Sequence, residues 1–112
     1  MIDFHSHILP NIDDGSASIE ETINLIEEAS KVGFAGIIST SHYIQGYYEF
    51  GCNERKQLLD IIQKKMQTND SLNLELYLGS EIYFSSEIID LIKDKKASTI
   101  NNTRYILFEL PM

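Results

Sequence analysis

The sequence predicts an α/β fold in which parallel strands are joined by crossover helices. Three observations predict it. Short apolar runs alternate with amphipathic ones in the order β-α-β-α-β-α-β, a pattern that favours parallel strands with right-handed connections. No Pro/Gly-rich linker or internal repeat divides the 112 residues, so they are read as one domain, or part of one, with a modest core. All three histidines fall at the ends of predicted strands, the face that carries active sites in parallel α/β folds.

The elements follow in order. Met1–His5 (MIDFH) reads as a short strand. The loop after it, HILPNIDDGSA, holds a Pro and an Asp-Gly, both turn formers. Ser18 opens a helix, with Glu21 three residues on to complete a capping box. Ile19, Ile23, Ile26 and Ala29 share one helical face, and Gly33 sits where a left-handed residue would stop the helix. Phe34–Thr40 is a second strand, followed by a polar and aromatic loop, SHYIQGYYEFGC. Asn53 is the candidate cap of a second helix with Leu58, Ile62 and Met66 on its apolar stripe. Leu72–Leu78 alternates as a third strand that Gly79 ends. Ser85 or Ser86 starts a short helix over Glu87–Lys93, and Tyr105–Leu110 is a fourth strand.

Charge and composition exclude several functions. Nine Lys+Arg against 17 Asp+Glu leave a net charge of −8, which argues against an unaided nucleic-acid binder. No apolar run reaches the ~20 residues of a membrane span, and no basic segment precedes an apolar one as in a secretory signal. The expectation is a cytoplasmic protein without membrane insertion, and the single Cys52 fits a reducing compartment. Leu58 stands six positions after Cys52, where a cysteine phosphatase needs Arg. Nucleotide-loop and serine-hydrolase motifs are absent as well.

The polar residues worth testing are His5, His7, Asp13, Asp14, His42, Glu81 and Glu109, and all but the two aspartates of the first loop lie at, near or just past a predicted strand end. His5 and His7 are i and i+2, so in an extended segment their rings face one side and can share a metal. Two solvated rings at a polar strand end are the plainer alternative. Asp13-Asp14-Gly15 can be an Asx-turn and nothing more. Glu109 lies among Ile106, Leu107, Phe108 and Leu110, where a carboxylate must be exposed, paired or metal-bound. Imidazoles mixed with carboxylates suit zinc, manganese or iron, and several such ions together make a hydrolytic site for phosphate esters. Tyr43, Tyr47, Tyr48 and Phe50 beside His42 either line a pocket for an aromatic substrate or pack onto the second helix.

The opening IDFHSHILPNIDDGS resembles the start of the metal-dependent PHP (polymerase and histidinol phosphatase) superfamily. It is most similar to the tyrosine-protein phosphatases of bacterial capsule and exopolysaccharide operons. Thr40-Ser41-His42, Gly79-Ser80-Glu81-Ile82 and Phe108-Glu109-Leu110-Pro111 resemble later phrases of that family in the same order. The resemblance implies the N-terminal half of a TIM-like PHP barrel. It implies two or three divalent ions, with manganese preferred. His5 and His7 would bind the first, Glu81 would bridge it to a second, Glu109 would complete part of the second shell, and Asp14 and His42 would hold a third. His42 and Asp14 are also the catalytic candidates. The implied substrate is a phosphotyrosine protein, with a bacterial tyrosine kinase of the same operon as partner.

A full barrel of this type takes about 250 residues. The family's further His, late Asp-x-His and phosphate-gripping arginines have no counterpart in these 112 residues. The chain is therefore expected to be one domain, residues 1–112, truncated after its fourth strand. Another PHP phosphoesterase, such as a histidinol-phosphate phosphatase, and a non-catalytic half-barrel are the rival readings.

Overall fold

A computed structural model of the protein describes residues 1–69 and 72–111; Met112, the last residue of the expected domain, lies outside them. The first strand, β1 (Ile2–Ser6), leads through the Pro-Asn loop to helix α1 (Ile19–Val32). Ser18 caps α1 as the sequence predicts, its hydroxyl accepting from the Glu21 N–H at 3.0 Å. The Glu21 carboxylate reaches back to the N–H of Ala17 at 3.3 Å, so the box closes one residue earlier than expected. Gly33 ends the helix at φ 108°, its N–H donating to the carbonyls of Ala29 and Ser30. Ile26 is fully buried, and Ile19, Ile23 and Ala29 pack around it.

The predicted second and third strands are each broken in two. Phe34–Thr40 supplies β2 (Gly36–Ser39), and after a two-residue interruption the predicted loop supplies β3 (His42–Tyr43). Helix α2 (Cys52–Met66) follows. Leu72–Leu78 supplies only β4 (Glu75–Leu78), and β5 (Glu81–Tyr83) follows, again after two residues. Helix α3 (Ile88–Lys93) and strand β6 (Leu107–Glu109) complete the described chain.

These strands form two three-stranded parallel sheets, ordered β1-β2-β4 and β3-β5-β6. The breaks are bridged by single hydrogen bonds, Gly79 N–H to Ser39 O at 2.9 Å and Glu81 N–H to Ser41 O at 3.1 Å. Strand neighbours therefore follow chain order from one sheet into the next. A four-strand reading captures the order but not the interruption. Ser39, Thr40, Ser41 and Ser80 at the breaks are all buried, and small hydroxyl residues there give no apolar period to read.

Helix α2 corrects a second expectation. Its cap is Gly51, without a side-chain bond, and Asn53 lies inside the first turn. The buried stripe is Arg55, Leu59, Ile62 and Met66, with Leu58 beside it at the margin. This stripe meets Ile26, Ile37 and Leu76, and with the loop residues Ile8, Leu9 and Ile12 it makes the main core. A smaller core joins Tyr43, Ile82, Leu91 and Ala97 behind the second sheet. Tyr43 thus belongs to a core, packed with Leu91 of α3, rather than to a pocket. On the side of the first sheet away from the main core, Ile2, Phe4, Ile38, Tyr77, Ile100 and Tyr105 line a cleft of about 500 Å³, with Phe4 and Tyr105 each 63% exposed.

Candidate metal centre

The centre is built at the C-terminal ends of the strands. Three steps along β1, Asp3 to Ser6, pair with two along β2, Ile37 to Ser39. The extra residue is a bulge at Phe4–His5, a device that re-aims side chains. Beyond it, His5 Nε2 and His7 Nε2 stand 2.9 and 2.8 Å from one atom, Glu81 Oε2. The predicted convergence of the two rings holds, although through a bulge rather than a regular pleat.

The loop after His7 is fixed by buried anchors and backbone bonds. Ile8, Leu9 and Ile12 plug the main core, Ser16 N–H donates to His7 O at 3.1 Å, and Asn11 N–H to Ser16 O at 2.9 Å. The result presses Gly15 onto His7: a Cβ at Gly15 would lie 2.2 Å from His7 O and 2.5 Å from His7 Cβ. Asp13 then does two things. Its Oδ1 accepts from Gly15 N–H at 2.9 Å, the Asx-turn the sequence suggested, and its Oδ2 accepts from His42 N–H at 2.7 Å. Its side chain is fully buried. Asp14 projects outward, 64% exposed, with Oδ1 3.3 Å from His7 Nδ1 and 3.5 Å from His42 Nε2.

His42 and Glu81 are directly paired across β3 and β5, and Glu109 comes from β6. His42 Nδ1 lies 3.0 Å from Glu109 Oε1 and 3.6 Å from Glu81 Oε2. All six predicted residues therefore meet, in three overlapping groups: His5-His7-Glu81, His7-Asp14-His42 and His42-Glu81-Glu109. Burial pushes the Glu81 carboxyl up, but bonds from His5 and His7 and the nearby His42 ring outweigh it and hold it below the ordinary carboxylate range.

The donor set fits cations. Ligands held about 2.1 Å from one ion stand about 3.0–3.4 Å apart at octahedral or tetrahedral angles, and the separations here run from 2.8 to 3.6 Å. His42 Nδ1 and Glu109 Oε1 are buried and, despite their 3.0 Å separation, make no hydrogen bond. Buried polar atoms left without a partner are costly, and a cation held by both removes the cost. Nitrogen mixed with carboxylate oxygen, all within 4.8 Å inside each group, suits zinc, manganese or iron rather than calcium.

Arg55, on α2, is the residue that motif reading missed. It is fully buried. Its Nε donates to Phe50 O at 2.7 Å, Nη1 to Ser41 O at 2.8 Å and to Gly79 O at 3.3 Å, and Nη2 to His42 O at 2.7 Å. The carbonyls of Ser41, His42 and Gly79 flank the breaks that separate the two sheets. Burial lowers the guanidinium from its ordinary value, against attraction from Cys52, Asp13 and Tyr43, but a guanidinium still stays charged. The legible signal was a cation four residues ahead of Leu59 on an otherwise apolar stripe. Cys52, by contrast, is pushed up by burial and held as a thiol.

The family model for capsular polysaccharide synthesis proteins, CpsB/CapC, matches residues 1–112. The chain belongs to that family. A putative tyrosine-protein phosphatase CapC of Staphylococcus aureus is 36% identical over 111 residues, covering 99% of this chain and 43% of the relative. The tyrosine-protein phosphatase CpsB of Streptococcus agalactiae is 35% identical over 112 residues, 100% of this chain and 46% of CpsB. A solved chain from work on YwqE of Bacillus subtilis and CpsB of Streptococcus pneumoniae, described there as metal-dependent tyrosine phosphatases, superposes with a TM-score of 0.91. It is 32% identical, over 99% of this chain and 44% of its own. The chain thus spans less than half the length of the relatives it matches.

Proposed function

We propose that this chain is the N-terminal part of a metal-dependent protein-tyrosine phosphatase that regulates capsular or exopolysaccharide synthesis. The observation that carries the reading is the overlap of three donor groups through His7, His42 and Glu81. It is joined by relatives named tyrosine-protein phosphatases. In this reading the two sheets are the first half of a PHP-type barrel, and the apolar side with Phe4 and Tyr105 faces its interior. Manganese is the proposed ion, two or three per complete domain. The substrate is a phosphotyrosine protein, with a tyrosine kinase of the same operon as source, and the compartment is the cytoplasm. No helix among the described residues is long and apolar enough to cross a membrane.

His5, His7 and Glu81 would hold one ion, His42, Glu81 and Glu109 a second, and His7, Asp14 and His42 a third. When bound, such ions polarise phosphoryl oxygens and acidify water for in-line attack. The protein's own groups do the rest. Asp13 locks the His42 backbone and so sets where its ring stands. Glu81 stays ionised and holds His5 and His7 toward one point. Asp14, the open carboxylate, with the largely enclosed His42 ring 3.5 Å away, is the group placed to move a proton at the ester.

The test is His7→Ala in the full-length protein. Manganese-supported hydrolysis of a phosphotyrosine peptide should be lost and bound metal should fall, with the helical circular dichroism signal kept. Full activity with added manganese would reject the site.

A further inference from the structure

We infer that the aromatic cleft beyond β3 and β5 is the subsite that receives the ring of an aryl phosphomonoester, with Tyr48 and Phe84 as its specificity-determining walls. This rests on the phosphatase reading above and adds the residues that would select aryl over alkyl esters.

The cleft's position follows from strand alternation. His42 and Glu81 pair across β3 and β5, so Ile44 and Tyr83, two residues further on, return to the same face. Two residues of strand advance about 6.6 Å, which sets these residues directly beside the donor pair. Ile44 and Tyr83 line a cleft of about 600 Å³ together with Tyr47, Tyr48, Phe84, which follows the end of β5, and Leu91 of the smaller core.

Both walls are fixed to the metal centre. On one side, Tyr48 N–H donates to Ile44 O at 2.8 Å and Ile44 N–H to Tyr48 O at 2.9 Å, a tight turn around Gly46 at φ 88°. That turn lays the Tyr48 ring over His42, with centroids 6.0 Å apart and planes 19° from parallel. On the other side, Phe84 N–H donates to Glu109 O at 2.9 Å, and the Phe84 ring meets Phe108 at 5.8 Å. The two walls thus begin at His42 and at Glu109, two of the six candidate ligands.

The chemistry of the lining selects the ring rather than the phosphate. Among the described residues no charged one lines the cleft; Gln45, Ser85 and the tyrosine hydroxyls supply its polar groups. An anion finds no cation there, while an uncharged aromatic ring finds faces and edges to stack on. Tyr47 is 83% exposed and Phe84 48% exposed, so folding alone does not account for the aromatic content. The phosphoryl group would lie at the donor cluster and the ring in the cleft.

The experiment compares a phosphotyrosine peptide with the matching phosphoserine peptide on the manganese-loaded full-length protein. Tyr48→Ala and Phe84→Ala should each raise KM for phosphotyrosine roughly threefold to tenfold, the scale of one lost aromatic contact. The phosphoserine KM, the kcat for both peptides and the metal content should hold, and Tyr48→Phe should restore the low KM. Unchanged phosphotyrosine KM in both alanine variants, or an equal rise for both peptides, would overturn the subsite while leaving the phosphatase reading intact. A wild-type protein that binds metal yet hydrolyses neither peptide would overturn both. If Tyr48→Ala loses metal through its contact with His42, Phe84→Ala alone decides.

Discussion

The two sheets differ in what holds them. The first, β1-β2-β4, is backed by α1 and α2 and by a core of ten buried apolar residues; the second, β3-β5-β6, has four behind it. Strands of the first run four or five residues, those of the second two or three. Yet the second contributes His42, Glu81 and Glu109. Apolar burial holds the first sheet, at roughly 1.5–3 kcal/mol per enclosed Ile or Leu. The second is held largely by polar ties: Arg55 on its entering carbonyls, Asp13 on His42 N–H, and ladder bonds to β5. The lesson is that ligand placement here is separated from the bulk of the folding energy.

Four substitutions test that separation, from large effect to small. Ile62→Ala empties a fully enclosed position under the first sheet and should cost about 2–5 kcal/mol in urea unfolding. It should bring down both sheets together. Arg55→Met should cost roughly 2–4 kcal/mol: buried carbonyls left without donors cost about 1–3 each, offset in part because no charge is then buried and Ser41 O keeps the Glu81 N–H. Its signature is selective: amide NMR shifts should move in β3 and β5 and stay in β1 and β2, while manganese affinity falls at least tenfold. Uniform shift changes would erase the distinction between the sheets.

Gly15→Ala should cost about 1–3 kcal/mol as the loop gives way to the added methyl. Its larger effect should be on manganese binding, since the methyl meets the backbone and Cβ of His7 rather than a flexible side-chain tip. Isothermal titration of a folded variant with unaltered affinity would show that the loop absorbs the strain elsewhere. Cys52→Ser should move stability by under about 1 kcal/mol and leave the proposed phosphatase turnover of the full-length protein unchanged, since burial already keeps the thiol protonated. Loss of turnover with metal retained would put the nucleophile on the protein.

Much of this organisation was legible. Helix α1 declared itself through Ser18, its isoleucine stripe and Gly33, because local sequence alone determines caps and periodicity. The convergence of the candidate histidines and glutamates was legible because strand ends sort onto one face in a parallel fold. The strand interruptions were not, since what divides the sheets is a side chain from α2 bonding carbonyls 14 and 24 residues away in sequence. Asn53 misled because it is a good cap in the abstract, while the backbone here turns into the helix at Gly51. Asp13 was half read: its turn is local, but its second oxygen meets an N–H 29 residues on.

Arg55 also bears on how the molecule opens. Its four acceptors come from the loop before α2 and from the backbone around both strand breaks. None of those bonds can be lost singly without stranding the others around a bare cation in a dry interior. Local opening of β3 or β5 is thereby linked to displacement of α2, whose other buried residues anchor the main core. Amide protons of the short strands should therefore exchange with deuterium nearly as slowly as those of α2, well behind the ends of α1. A thinly packed region would then share the cooperative unfolding unit of the well-packed one, and the ligand-bearing backbone would stay closed for as long as the core does.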